Sequence, residues 1–217
     1  MSVSPIDRRS ALRLALAGMA ALPLFGRSGP ALAAGADGAL GTVQAFDVAL
    51  LSAMKAGDRT PFAHRYAMLE PAVDNAFDLD AILRVSVGPH WASLPADQQA
   101  ALQTAFRRYT VANFVANFDS YAGERIEMAP ETRALANGDQ VVTTRIMSSG
   151  GSPTVLAYVM RQTSGGWKAV DVLADGSISR VATQRSDFRS LLSSGGGSAL
   201  VASLQNKVAS LSGGAIA

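Results

Sequence analysis

Few side chains in this 217-residue sequence could do covalent or metal chemistry, and their spacing argues against most of it. There is no cysteine, so disulfides, thiolate nucleophiles and cysteine metal sites are excluded. His64 and His90 are the two histidines; neither lies in a ligand spacing such as His-Glu-x-x-His, and both read as ordinary surface or core residues. Asp74, Asp78 and Asp80 echo the start of a calcium loop but lack its glycine and terminal glutamate, so helix capping is the expected role. Gly176-Ser177-Ile178-Ser179-Arg180 lacks the last glycine of a nucleophile elbow. Gly195-Gly196-Gly197 precedes a helix without a following Lys-Ser/Thr, which makes it a hinge rather than a phosphate loop.

Asp171 stands apart, because a carboxylate inside an otherwise apolar strand needs partners. Arg145 or Arg161 on neighbouring strands is expected to supply an ion pair. Two alternatives stay open: a contact to a ligand, or a general base working with Tyr158 or Tyr109.

The element that must position these groups is a long helix expected from Pro95 to about Tyr121, with Ser93 as N-cap and Gly123 as the stop. It would be roughly 40 Å long at 1.5 Å per residue. Beyond Thr110 its apolar residues, Val111, Phe114, Val115, Phe118 and Tyr121, leave little circumference for water. Such a helix is either buried in a core or borders an apolar space.

Before it, helical spacing runs from Leu40 to Lys55, from Thr60 to Met68 with a stop at Pro71 and a turn at Asp74-Asn75, and from Leu79 to Val85 behind a cap at Asp78. After Gly123 the period changes to alternation. Arg125–Met128, Gln140–Met147, Thr154–Gln162 and Trp167–Leu173 read as four strands of an antiparallel meander. Val142, Thr144, Ile146, Leu156, Tyr158, Met160, Val170 and Val172 would share one face. Helices at Arg185–Ser193 and Ser198–Leu211 end the chain. The expected fold class is α+β: a curved four-stranded antiparallel sheet with helices over one face around an apolar cavity.

The N-terminus has a basic start at Arg8, Arg9 and Arg13, an apolar run from Leu14 to Phe25, and Ala31-Leu32-Ala33 as a cleavage point. Residues 1–33 therefore read as a cleaved export signal, twin-arginine-like or Sec, and 34–217 as a single domain with 34–38 as a frayed tether. The leader takes four of the 19 basic residues and one of the 17 acidic ones, leaving 15 against 16. That near balance carries no nucleic-acid footprint.

Aromatic and aliphatic side chains converge where the long helix meets the sheet. Phe77, Ile82, Val87, Trp91, Tyr109, Phe114, Phe118 and Tyr121 from the helical side, with the sheet residues named above, suit an apolar ligand.

Ordered motifs then bring in a resemblance. Phe77-Asp78-Leu79-Asp80-Ala81-Ile82, Val87-Gly88-Pro89-His90-Trp91, Phe106-Arg107-Arg108-Tyr109, Phe118-Asp119-Ser120-Tyr121-Ala122-Gly123, Gly166-Trp167-Lys168-Ala169-Val170-Asp171-Val172 and Arg185-Ser186-Asp187-Phe188 resemble the MlaC-like periplasmic lipid-binding proteins, the toluene-tolerance auxiliary family. The resemblance covers about residues 40–210. It implies a non-enzymatic carrier, monomeric and without a cofactor, that shelters lipid acyl chains in the periplasm. Its implied partners are an inner-membrane ABC transporter with an MCE-domain subunit and an outer-membrane lipoprotein complex. The spacing Ser177-Ile178-Ser179 after Gly176 is similar to the hopanoid-associated HpnM branch, so the implied lipid is a phospholipid or a hopanoid. Two rival readings are an NTF2-like isomerase or hydratase using a buried Asp and Tyr, and an accessory or chaperone protein that holds an apolar partner segment.

Overall fold

The computed structural model describes residues 29–148 and 151–216. The leader expected at 1–33 lies outside the described residues as far as position 28. Residues 29–33 and the expected tether at 34–38 belong to the first helix, α1 (Gly29–Ala56). On the core side of α1, Val43, Phe46, Leu50 and Met54 are buried, as their helical spacing requires.

α2 (Phe62–Ala76) does not stop at Pro71 but runs through it. Pro71 is exposed, so water can satisfy the carbonyl one turn earlier that the missing N–H leaves open. Asp74 consequently sits in a helix and not in a turn. After α2 the backbone is extended at Phe77, which forms a parallel bridge with Ala169. The Asp78 N–H donates to the Ala169 carbonyl at 2.9 Å. Asp78 is the cap expected for α3 (Leu79–Val87), its side chain accepting from the Ala81 N–H. A 3-10 turn, Gly88–Ser93, follows.

The long helix α4 spans Ala96–Asn117. It is shorter than expected at both ends: Pro95 and not Ser93 precedes it, and Phe118 leaves the helix at φ −127° and ψ 56°. Tyr121 is therefore not helical. Arg107 locks α4 to α2 by donating to Glu70 at 2.7 Å and to Asp74.

The sheet is antiparallel and has six strands rather than four. β1 (Arg125–Met128) and β2 (Arg133–Ala134) both pair with β3 (Gln140–Met147), followed by β4 (Thr154–Thr163), β5 (Gly166–Ala174) and β6 (Ile178–Ser179). Asp175 at φ 51° and Gly176 at φ 72° give the two positive-φ residues that a tight β5–β6 hairpin needs. The expected α+β class holds, with helices packed over the sheet. Val142, Tyr158 and Val172 lie across from one another, as do Thr144, Leu156 and Ala174. Beyond them the register slips, so that Met160 faces Ala169 and Val170 is the extra residue of a β-bulge. The predicted common face thus fails at Val170.

α5 (Arg180–Ser212) begins five residues before the expected start. It is one helix in outline, broken where Gly196 takes φ 64° and ψ −160°, which bears out the glycine hinge. Gly197 packs closely on α4: a Cβ there would lie 2.4 Å from the Gln98 side-chain oxygen, so the glutamine would have to shift to admit it.

Candidate lipid cavity

α1 packs on β1, β3, β4 and β5, whereas α4 packs on α2, α3 and α5. The space left between α4 and the sheet is a cavity of about 280 Å³. Phe77 and Ile82 border it from the α2–α3 side, Phe106, Tyr109 and Phe114 from α4, Phe118 from just past its end, and Leu156, Tyr158 and Val172 from the sheet. Its inner wall is an aromatic cluster. Phe46 meets Phe77 and Phe114 edge-on, both at 5.1 Å between ring centres, and Tyr158 at 6.2 Å; these are favourable edge-to-face distances. Its outer end has exposed Asn117 and Arg180 among its lining residues, so it opens there to water.

Eight of the fifteen residues singled out from the sequence therefore meet at this wall: Phe77, Ile82, Tyr109, Phe114, Phe118, Leu156, Tyr158 and Val172. The other seven lie elsewhere. Val142 and Met160 are fully buried in the core. Val170 is displaced by the bulge. Val87 is buried at the end of α3. Ile146 pairs across from Ile126 and Thr154 near the end of β3. Trp91 sits in the 3-10 turn beneath the Arg84 guanidinium, 5.5 Å from its ring centre. Tyr121 is 41% exposed under the Lys55 ammonium.

The first two turns of α5 contribute Arg180, Val181 and Gln184 to the wall, and sequence reasoning missed all three. The available signal was Ser179, which is an N-cap accepting from the Ala182 N–H. Asp171 also borders the cavity, but the expected ion pair does not form. Its carboxylate instead accepts from the Ser179 hydroxyl at 2.5 Å and from the N–H groups of Val172 and Val181 at 2.7 and 3.1 Å. It thereby fastens the start of α5 to β5. Arg161 pairs with Asp139, at 3.0 and 2.7 Å, and this guanidinium holds the Asp139 carboxyl below its ordinary pKa.

A second carboxylate, also missed, is buried behind the wall. Asp47 lies on the apolar stripe of α1, between Phe46 and Leu50, and is 8% exposed. Its Oδ1 has no hydrogen-bond partner, and the hydroxyl of buried Thr144 on β3 has none of normal geometry, although it lies close to the Tyr158 phenol. Desolvation pushes the Asp47 pKa up to about 7. Burial, and then the Asp47 charge, raise the Tyr158 phenol above its ordinary value, and the neighbouring Thr144 hydroxyl acts against them.

His64 and His90 are both exposed. Among the described residues no group of three His, Asp or Glu side chains could hold a metal ion, and no helix is long and apolar enough to cross a membrane.

The profile of the MlaC protein family matches residues 44–206. The chain belongs to the MlaC family. This MlaC-family chain is also similar in fold to a phospholipid-binding protein from Ralstonia solanacearum, solved in complex with a phospholipid. The TM-score is 0.69 at 22% identity, covering 80% of this chain and 98% of that one. No curated protein matches the sequence. The matched segment contains every cavity-lining residue of this MlaC-family protein, from Phe77 to Gln184.

Proposed function

We propose that this protein is a periplasmic phospholipid carrier, exported by a cleaved signal at residues 1–33, whose remaining chain is a single lipid-binding domain. The observation that carries the reading is an apolar cavity between α4 and the sheet, open at one end, in a member of the MlaC family. The phospholipid held by the Ralstonia protein of the same fold supports it. At about 280 Å³ the cavity is at the lower edge of the ~300–1,000 Å³ typical of small-molecule sites. It takes part of one acyl chain as it stands, and a whole two-chain lipid requires α4 and the sheet to separate. Each CH₂ buried contributes about 0.8 kcal/mol, so the tail supplies most of the affinity.

Binding fits the wall better than catalysis does. Asp171 and Tyr158 both border the cavity, but the Asp171 carboxylate is committed to three donors, the Val172 N–H on β5 and two groups at the start of α5. Loading from an MCE-domain ABC transporter and delivery to an outer-membrane lipoprotein complex complete the proposal.

Expression in the periplasm, organic extraction and mass spectrometry test it. Phospholipid is expected in the extract of the wild type, and Phe118→Asp, which puts a charge at the cavity wall, is expected to lose it while still folding. A hopanoid in its place would change the cargo. A lipid-free protein that takes none up from vesicles would remove the carrier reading.

A further inference from the structure

The outer end of the cavity is chemically unlike the rest of its wall. Arg180 and Asp171 are the charged side chains that border the cavity, and they are in opposite situations. The Asp171 oxygens already accept three hydrogen bonds. Arg180, exposed on the first turn of α5, makes no ion pair or side-chain hydrogen bond among the described residues.

A second donor has an orientation fixed by its neighbour. Asn117 Nδ2 donates to the Asn113 carbonyl at 2.7 Å and to Asn113 Oδ1 at 3.1 Å. The first bond settles which end of the Asn117 amide is nitrogen, and the second then settles Asn113. Asn113 Oδ1 is occupied, so its Nδ2 is the group left to donate. Asn113 is half-buried and borders the same cavity.

We propose that Arg180, with the Asn113 amide, is a phosphate-recognising rim that makes this cavity select lipids bearing a phosphodiester over neutral lipids with the same tails. A planar guanidinium presents paired donors that match phosphate oxygens, and a charge-assisted hydrogen bond is about twice as strong as a neutral one. At the open end that bond forms without burying the phosphate, while the tail occupies the dry interior. A polyol or a bare glyceride offers the rim no anion, so it gains only neutral hydrogen bonds there. The inference rests on the carrier reading and adds to it which headgroup chemistry is selected and by which residues.

The test loads purified protein from vesicles containing phosphatidylglycerol and diacylglycerol with identical acyl chains, and measures both bound lipids by mass spectrometry. Wild type is expected to enrich phosphatidylglycerol roughly tenfold, less in high salt. Arg180→Glu should abolish the enrichment while diacylglycerol is still taken up, and Arg180→Lys should keep part of it. Enrichment that survives Arg180→Glu, or its absence in the wild type, overturns the rim and leaves the carrier intact. Wild type that takes up neither lipid overturns both. Free glycerol phosphate is expected not to displace bound lipid; displacement would make a small soluble phosphate the ligand of the rim and overturn the lipid assignment.

Discussion

Asp171 and Asp47 are two carboxylates set into apolar surroundings, one bordering the cavity and one buried on α1 beside Phe46, and the fold treats them in opposite ways. Asp171 sits on a cavity wall, part-buried, with three donors converging on it. Asp47 is deeper, with one oxygen unpartnered and its pKa raised to about 7 by desolvation. The first is an anion that organises structure by drawing the start of α5 onto β5. The second resists ionisation, since a lone buried charge costs several kcal/mol unless it is paired or takes up a proton. Burial alone therefore does not set what a carboxylate does; the donors around it do.

The largest expected effect that sharpens this contrast is on stability against pH. The folded pKa of Asp47 is raised from 3.8 to about 7, so the folded state holds the proton more tightly than the unfolded chain. Its contribution is fully present below about pH 4, declines as pH rises, and is lost above about pH 7. A shift of about three units corresponds to as much as ~4 kcal/mol. Urea melts of wild type and Asp47→Asn across this range isolate the effect: the variant should lack the decline and be the more stable of the two at pH 8. Parallel curves would mean that Asp47 finds a partner in solution.

For Asp171 the expected effect is on how firmly α5 is anchored to β5. Removing its carboxylate in Asp171→Ala strands one hydroxyl and one helix-end N–H, and hydrogen bonds to a charged group are worth about 1.5–3 kcal/mol. We expect a loss of about 3 kcal/mol at neutral pH, with Asp171→Asn recovering part of it because an amide oxygen still accepts. A loss below about 0.5 kcal/mol would show that water replaces the carboxylate and that α5 is held by packing alone.

How far the chain could be read follows the same division. Period and punctuation are local, and they revealed four of the strands, the Asp78 cap and the glycine break in α5. They revealed the apolar half of α4 too, because Val111, Phe114, Val115 and Phe118 lie together on the side away from the Leu102, Ala105 and Tyr109 stripe. What depended on tertiary placement was hidden. Pro71 read as a stop because its solvent exposure is invisible in sequence. The bulge at Val170 reversed a face that strict alternation had fixed. Asp47 was passed over because one acid in an apolar stripe looks like a register error until the stripe is seen to be buried. Asp171 drew notice as an acid in a strand, yet its partners were backbone groups and a serine ten or fewer residues away, not the arginines on neighbouring strands.

The smallest expected effect tests whether the patch around Asp47 is truly short of partners. Thr144 is fully buried on β3, where its hydroxyl approaches the Tyr158 phenol without a hydrogen bond of normal geometry. Valine has nearly the same shape without the polar group, and an unmade buried hydrogen bond costs about 1–3 kcal/mol. Thr144→Val should therefore stabilise the protein by about 1 kcal/mol, read as a higher urea midpoint with an unchanged slope. The gain should be as large in the Asp47→Asn background, because the hydroxyl does not depend on that carboxyl for a partner. A loss of stability would instead place the Thr144 hydroxyl in a bond with Tyr158 or Asp47, and loss confined to the Asp47-containing protein would name Asp47 as the partner.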